Sequence, residues 1–230
     1  WLVELDTNGC LGVGFGGGEP TLHPDFPALC QFAAAETGLA VTFTTHAHRL
    51  DEPMVETLAG SVHFVRVSVD GVGRTYERLR GRPYSTLRER LVLVRRLARF
   101  GLNVVVNRQT FPDLDALADL ALEFGATEVL LLPQQPVAGL GGIDPATRDA
   151  LQGWVDAYVG PIPLTVSVAG SAGLPVCDPV EKEGGLRAYT HIDAEGKLKC
   201  SSFDPSGVAV GEASLMTAVE TLRTRTEGTS

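Results

Sequence analysis

The sequence predicts an α/β fold built on a parallel sheet. Short runs rich in β-branched residues alternate with longer amphipathic segments, at a spacing that is typical of βα units. The runs are almost continuously apolar, as expected for strands that are covered on both faces. Six such runs suit an open sheet or a partial barrel, since a closed barrel of this kind needs eight.

Local patterns define each element in turn. β-Branched or aliphatic runs that end in glycine, proline or polar residues are expected to be strands, at residues 11–16, 39–45, 62–69, 102–107, 127–132 and 163–168. Apolar residues spaced by three and four indicate helices, at residues 24–38, 52–60, 85–100, 113–124 and 145–159. The strongest of these begins at Ser85, a good capping residue, and is expected to stop at Gly101.

The pattern changes after about residue 169. Residues 189–201 alternate on either side of a glycine-ended turn, which predicts a β-hairpin, and residues 214–223 predict a terminal helix. We therefore predict two domains: a barrel at residues 1–168 and a small hairpin-and-helix appendage at residues 169–230.

Charge and composition exclude several classes of partner. The chain has 230 residues, with 19 basic and 28 acidic side chains and a net charge of −9. This charge argues against nucleic acids and anionic membrane surfaces as main partners and suits a cationic ligand. No membrane-length apolar run or leader is evident, and the four cysteines are too few for a disulfide scaffold. We expect a reducing, cytoplasmic compartment.

In parallel α/β folds, ligands bind at the carboxyl ends of the strands. Four of the first five predicted strand ends are glycine-rich or polar, and the fifth is apolar. They carry Gly17, Gly18, Glu19 and Pro20, then Thr45, then Ser68 and Asp70, then Asn107, and finally Leu132 and Pro133. We predict that these residues converge on one ligand-binding rim.

The glycine-rich strand end does not resemble a phosphate-binding loop. It lacks a following Lys-Ser/Thr, and the carboxylate of Glu19 would repel a phosphate. Backbone carbonyls and a carboxylate suit an ammonium group instead, although a plain glycine turn is the alternative. Ser68 and Asp70 share one side of an extended chain and can hold sugar hydroxyls, unless Asp70 only accepts backbone N–H groups.

The segments GVGFGGGEPTLHPDFPAL, VRVSVDG, YERLRG, NVVVN and ATEVLLLP occur in this order between residues 12 and 139. Together they resemble a radical S-adenosylmethionine (radical SAM) enzyme. The resemblance implies a partial (β/α)6 TIM-like barrel and a [4Fe-4S] cluster that reductively cleaves SAM. The resulting 5′-deoxyadenosyl radical abstracts hydrogen from the substrate. Flavodoxin or ferredoxin would be the electron donor.

The resemblance assigns a part of SAM to each strand end. It implies that Gly17, Gly18 and Glu19 hold the methionyl ammonium. The ribose or methionyl part would lie near Ser68 and Asp70, and Asn107 would contact the carboxylate or ribose. Leu132 and Pro133 would flank the adenine. Arg80 is a further rim residue, with a surface salt bridge as the alternative.

The sequence departs from this family in its cysteines. The C-x3-C-x2-C loop that holds the cluster is absent, and residues 1–9 suggest the end of a helix, so we expect the first strand and the cluster loop to be missing from this chain. Cys177 precedes the predicted hairpin and Cys200 lies near its end, an arrangement that resembles the SPASM and twitch appendages that bind auxiliary iron–sulfur clusters. Two isolated thiols are the alternative.

Three functions remain open. The first is a radical SAM oxidoreductase that modifies a ribosomal peptide, or else a small molecule. The second is a non-catalytic, degenerate barrel that binds a SAM-like ligand or serves as a scaffold. The third is an ordinary α/β enzyme that uses His46, His48 and Asp70 with a divalent metal.

Overall fold

The computed structural model describes residues 1–136, 139, 141–166, 171, 174, 185–211 and 214–227. One sheet runs in the strand order β1 (Gly12–Phe15), β2 (Ala40–Thr45), β3 (Phe64–Ser68), β4 (Arg99–Val106), β5 (Val129–Pro133) and β6 (Leu164–Val166). The strand pairs from β2 to β6 are parallel. The predicted six-stranded α/β architecture is therefore confirmed.

Helices precede, connect and follow the strands of the large sheet. They are α1 (Leu2–Thr7), α2 (Phe26–Glu36), α3 (Glu52–Leu58), α4 (Gly73–Arg80), α5 (Tyr84–Leu97), α6 (Leu114–Phe124), α7 (Pro145–Ala157) and α8 (Leu215–Glu227). Short 3-10 turns occur at Pro20–Leu22, Phe111–Asp113 and Gly185–Arg187. No described helix combines the length and the apolar character that crossing a bilayer requires.

The two faces of the large sheet differ. The face that carries Phe43 and Val67 is fully buried, and this apolar burial is the main source of stability. The opposite face is only half-buried and carries polar side chains such as Thr44, Arg66 and Ser68. Side chains alternate along a strand, so the polar residues of this second face continue to Ser68, the last residue of β3.

Two element predictions need correction. The helix predicted at residues 85–100 ends at Leu97, because Phe100 is buried and pairs in β4 with Val65. Helix α4 was not predicted, since its sequence GRTYERLR is polar and only Tyr76 of it is buried.

The chain divides into two compact units. One comprises residues 14–31 and 41–177 and holds most of the large sheet. The other comprises residues 1–13, 32–40 and 178–230. The predicted domain boundary at residues 168 and 169 lies outside the described residues and stays a prediction.

The smaller unit contains the predicted hairpin. Its three antiparallel strands are β7 (His191–Ile192), β8 (Lys197–Lys199) and β9 (Val208–Ala209). Leu198 packs with Leu215 and other apolar residues of α8. Glu4 of α1 caps α8, since it accepts hydrogen bonds from the backbone N–H groups of Leu215 and Met216, both at 3.0 Å.

Candidate functional site

The glycine loop between β1 and the first 3-10 turn has the backbone that only glycine adopts easily. Gly17 and Gly18 have φ values of +69° and +42°. A Cβ atom on Gly16, Gly17 or Gly18 would meet no atom within 4 Å, so the loop faces open space. Glycine is therefore required at positions 17 and 18 for backbone conformation, and the loop leaves its backbone open to a ligand.

Glu19 ends this loop, and its carboxylate turns into the protein. The side chain is only 5% exposed. Its Oε1 accepts hydrogen bonds from the hydroxyls of Thr21 at 2.6 Å and Thr45 at 2.7 Å. The backbone N–H of Thr21 also donates to Oε1, at 3.3 Å. Glu19 thereby joins the glycine loop to the end of β2.

The other oxygen of Glu19 is held by His46. Its Oε2 accepts the backbone N–H of His46 at 2.9 Å and lies 3.2 Å from the ring Nε2. The ring Nδ1 of His46 accepts the backbone N–H of His48 at 3.2 Å. Because Nδ1 accepts this N–H group, the ring proton that faces Glu19 is on Nε2, and His46 donates twice to one carboxylate oxygen.

Glu19 is therefore ionised and already saturated with partners. A carboxylate has about four lone-pair sites, and five N–H or O–H groups of Thr21, Thr45 and His46 point at it. Burial alone would raise the pKa of Glu19, but hydrogen bonds from Thr21, His46 and Thr45 outweigh it, and the pKa is lowered. Within this structure, Glu19 holds the loop in place.

Asp70 and Arg80 form a second pair, just beyond the end of β3. Asp70 Oδ2 lies 2.6 Å from Arg80 Nη2, and Asp70 Oδ1 accepts the backbone N–H of Val105 at 3.3 Å. The two side chains are 17% and 27% exposed. Ser68, two residues earlier, is half-buried. Asp70 therefore accepts a backbone N–H group, which was the alternative to a role in holding sugar hydroxyls. It also forms an ion pair with Arg80 of α4.

Asn107 organises the end of β4. Its Oδ1 accepts the backbone N–H of Gln109 at 2.8 Å, and its Nδ2 donates to Gln134 Oε1 at 2.8 Å. Gln134 was not predicted as a site residue, although it directly follows Pro133 at the end of β5. Its position after a strand end is the signal that would have identified it. Leu132 is half-buried, and Pro133 is buried.

Two histidines lie beside Glu19. The rings of His46 and His48 are 4.4 Å apart between centroids. Burial, and then the charges of His46, Arg82 and Arg80, lower the pKa of His48 to about 4, so its ring is neutral at pH 7. The described part of the chain brings together no three His, Cys, Asp or Glu side chains that could hold a metal ion. The divalent-metal hypothesis therefore has no structural support.

Of the two cysteines predicted to bind an iron–sulfur cluster, Cys200 lies within the described residues. Cys200 is half-buried at the end of β8, is not in a disulfide, and packs against the apolar cluster of the smaller unit. Cys177 lies outside the described residues. The iron–sulfur role of this pair stays a prediction. Cys30 is buried, which raises the pKa of its thiol to about 11.

Comparison with known proteins adds independent findings. The sequence model described as the radical SAM superfamily matches residues 2–121. Mycofactocin maturase MftC of Mycobacterium tuberculosis (strain CDC 1551 / Oshkosh) is 32% identical over 131 residues, covering 55% of this chain and 33% of MftC. Fe-coproporphyrin III synthase of Methanosarcina barkeri (strain Fusaro / DSM 804) is 31% identical over 126 residues, covering 53% and 31%. The chain spans about a third of the length of these curated relatives.

Solved structures of Streptococcus suis SuiB share the fold. SuiB bound to S-adenosylmethionine superposes with a TM-score of 0.73 at 18% identity, over 94% of this chain and 56% of SuiB. SuiB bound to the precursor peptide SuiA gives a TM-score of 0.72 at 18% identity, over 94% and 55%.

Proposed function

Since the chain belongs to the radical SAM superfamily, we propose that it forms the SAM-binding barrel of an enzyme that modifies a peptide. The observation that carries this proposal is the glycine loop. Its backbone is open to a ligand, and Glu19 holds it from behind, within the residues that match the superfamily. In that superfamily, one electron from a [4Fe-4S] cluster cleaves SAM to methionine and a 5′-deoxyadenosyl radical, which takes a hydrogen atom from the substrate.

We propose that the loop backbone, rather than the Glu19 side chain, contacts the methionyl ammonium of SAM. The oxygens of Glu19 are already occupied by Thr21, Thr45 and His46. Its buried negative charge still favours a cation nearby, and the net charge of −9 suits the sulfonium of SAM. Glu19 would thus act as a positioning residue for Gly17 and Gly18.

The rest of the rim would hold the other parts of SAM. We propose that Ser68 and the Asp70–Arg80 pair contact the ribose or the methionyl carboxylate, with the guanidinium attracting the carboxylate. Asn107, fixed by Gln109 and Gln134, would bind the ribose or the carboxylate. We propose that the half-buried Leu132, beside the buried Pro133, offers an apolar surface to the adenine. We also propose that Pro20, which begins the 3-10 turn, and Thr45, which donates to Glu19, hold the glycine loop in place for SAM.

A peptide is the substrate class that the relatives favour. SuiB has been crystallised with a precursor peptide, and MftC is a maturase. We further propose flavodoxin or ferredoxin as the electron donor, the cytoplasm as the compartment, and an auxiliary iron–sulfur site at Cys177 and Cys200. Three of the four cysteines are free thiols, which fits a reducing compartment.

The proposal is tested on the intact natural protein, with its iron–sulfur content reconstituted without oxygen. With dithionite and SAM, it is expected to release 5′-deoxyadenosine. If a protein with a loaded cluster binds SAM but never releases 5′-deoxyadenosine, the chain belongs to a non-catalytic binding protein instead.

A further inference from the structure

The half-buried face of the large sheet carries an ion pair below the rim. Arg66 lies in β3, two residues before Ser68 and on the same face. Its Nη2 is 2.5 Å from Oε1 of Glu128, the residue that precedes β5. The two side chains are 26% and 23% exposed, so both remain within reach of a ligand.

Gly101 of β4 makes this pair possible. Arg66 lies opposite Gly101, and Glu128 precedes Val129, which lies opposite Leu102. Arg66 and Glu128 are thus two strands apart, about 9.6 Å at the usual strand spacing. A Cβ atom on Gly101 would lie 2.9 Å from Glu128 Cγ, so a side chain there would obstruct the pair. The ion pair therefore forms over a position of β4 that lacks a side chain.

Asn103 completes the cluster. Its Oδ1 accepts a hydrogen bond from Arg66 Nη1 at 3.3 Å, and the residue is 8% exposed. A guanidinium has five N–H donors in one plane, more than Glu128 and Asn103 use. Oε1 of Glu128 is buried beside Arg66 Nη2, and no hydrogen bond from the described residues reaches Oε2, so the acceptor capacity of Glu128 lies at Oε2.

We propose that the cluster of Arg66, Asn103 and Glu128 binds a carboxamide group of the substrate. Stability alone is a weak reason for such a pair, since apolar residues often replace a buried ion pair without loss. The pair has no net charge, so Glu128 opposes a carboxylate and Arg66 opposes an ammonium group. A carboxamide satisfies both, because its oxygen accepts from Arg66 and its N–H groups donate to Glu128.

The position of the cluster fits a peptide. Asp70 is four residues beyond Arg66, just past the end of β3, which places the rim about 13 Å away. A peptide segment of that length, or a long side chain, spans the distance. This inference rests on the proposed function, because it assumes that the substrate approaches the half-buried face of the large sheet.

The test uses three probes with the same carbon frame: propionamide, propionate and propylammonium. Binding to the intact natural protein is followed by NMR of 15N-labelled arginine side chains. We expect saturable shifts of the Arg66 Nε signal with propionamide, and an affinity at least tenfold lower for the two charged probes. Arg66→Leu/Glu128→Leu is expected to bind propionamide at least tenfold more weakly while remaining folded.

Gly101→Ala provides a second variant that alters neither charged residue. We expect this variant also to bind propionamide at least tenfold more weakly, because the added methyl group separates Glu128 from Arg66. Arg99→Lys, at the exposed start of β4, is the control and is expected to bind as wild type. Equal or tighter binding of propionate, wild-type binding by the double leucine variant, or no saturable shift with any probe would each overturn the proposal. Release of 5′-deoxyadenosine is measured separately, so failure of the proposed function is recognised independently.

Discussion

Glu19→Gln separates the two roles that Glu19 can have. If Glu19 holds the glycine loop, its replacement must destabilise the protein even without SAM. If Glu19 serves only as a ligand, the change affects SAM binding alone. Glutamine has nearly the same shape, but it is neutral and turns one acceptor oxygen into a donor.

The size of the effect follows from the contacts. Three hydrogen bonds to Glu19, at 2.6, 2.7 and 2.9 Å, are charge-assisted in the wild type. Each would lose about 1 kcal/mol on becoming a bond between neutral groups. A total of about 3 kcal/mol corresponds to a decrease in Tm of about 6–12 °C when the cooperative unit that unfolds has about 150–250 residues.

The assay is thermal unfolding of the intact natural protein without SAM, followed by circular dichroism, beside SAM binding measured by calorimetry. Glu36→Gln, at the exposed end of α2, is the matched control and should leave Tm within about 1 °C. A wild-type Tm for Glu19→Gln together with lost SAM binding would refute the positioning role and restore Glu19 as a direct ligand.

Three further predictions follow from the same site. Gly17→Ala should destabilise the fold by about 1–2 kcal/mol because residue 17 has a positive φ, whereas Gly16→Ala should destabilise it by less than about 0.5 kcal/mol. Chemical denaturation measures both free energies of unfolding, and equal effects would contradict the assignment of backbone strain to position 17. The folded pKa of His48 is about 4, below the ordinary 6.5, so its stabilising effect is present above pH 6.5 and is lost as the pH falls toward 4. His48→Asn should therefore show a shallower loss of stability between pH 6.5 and 4 than wild type, and identical pH profiles would exclude this titration. Arg80→Gln removes the partner of Asp70 and should weaken SAM binding at least tenfold in calorimetry, with unchanged affinity as the contrary result.

The elements of the fold were largely predictable because their signals are local. Continuous β-branched runs and apolar spacings of three and four depend on neighbouring residues only, and they located the six strands and most of the helices. Helix α4 escaped detection because its polar sequence has a single buried side chain, Tyr76. The helix predicted at residues 85–100 is three residues too long at its end, because Phe100 pairs in a strand with Val65, which is 35 positions away in the chain.

The candidate site shows the same division. The rule that ligands bind at strand ends led from the sequence to the prediction that Gly17, Glu19, Asp70 and Asn107 share one ligand-binding rim, and this stays a prediction. The sequence did not show which groups satisfy Glu19. Thr45 and His46 lie 26 and 27 positions from Glu19 and reach it only when β1 and β2 lie side by side.

By itself, the sequence determined the order of strands and helices, the need for glycine in the loop, and the polar character of the rim. These properties depend on backbone freedom and on the pattern of apolar residues within a few positions. The tertiary structure alone decided that Glu19 faces inward and that Arg66 reaches Glu128 over Gly101. Hydrogen bonds and ion pairs act over a few ångströms, so the register of distant strands decides which charged groups meet.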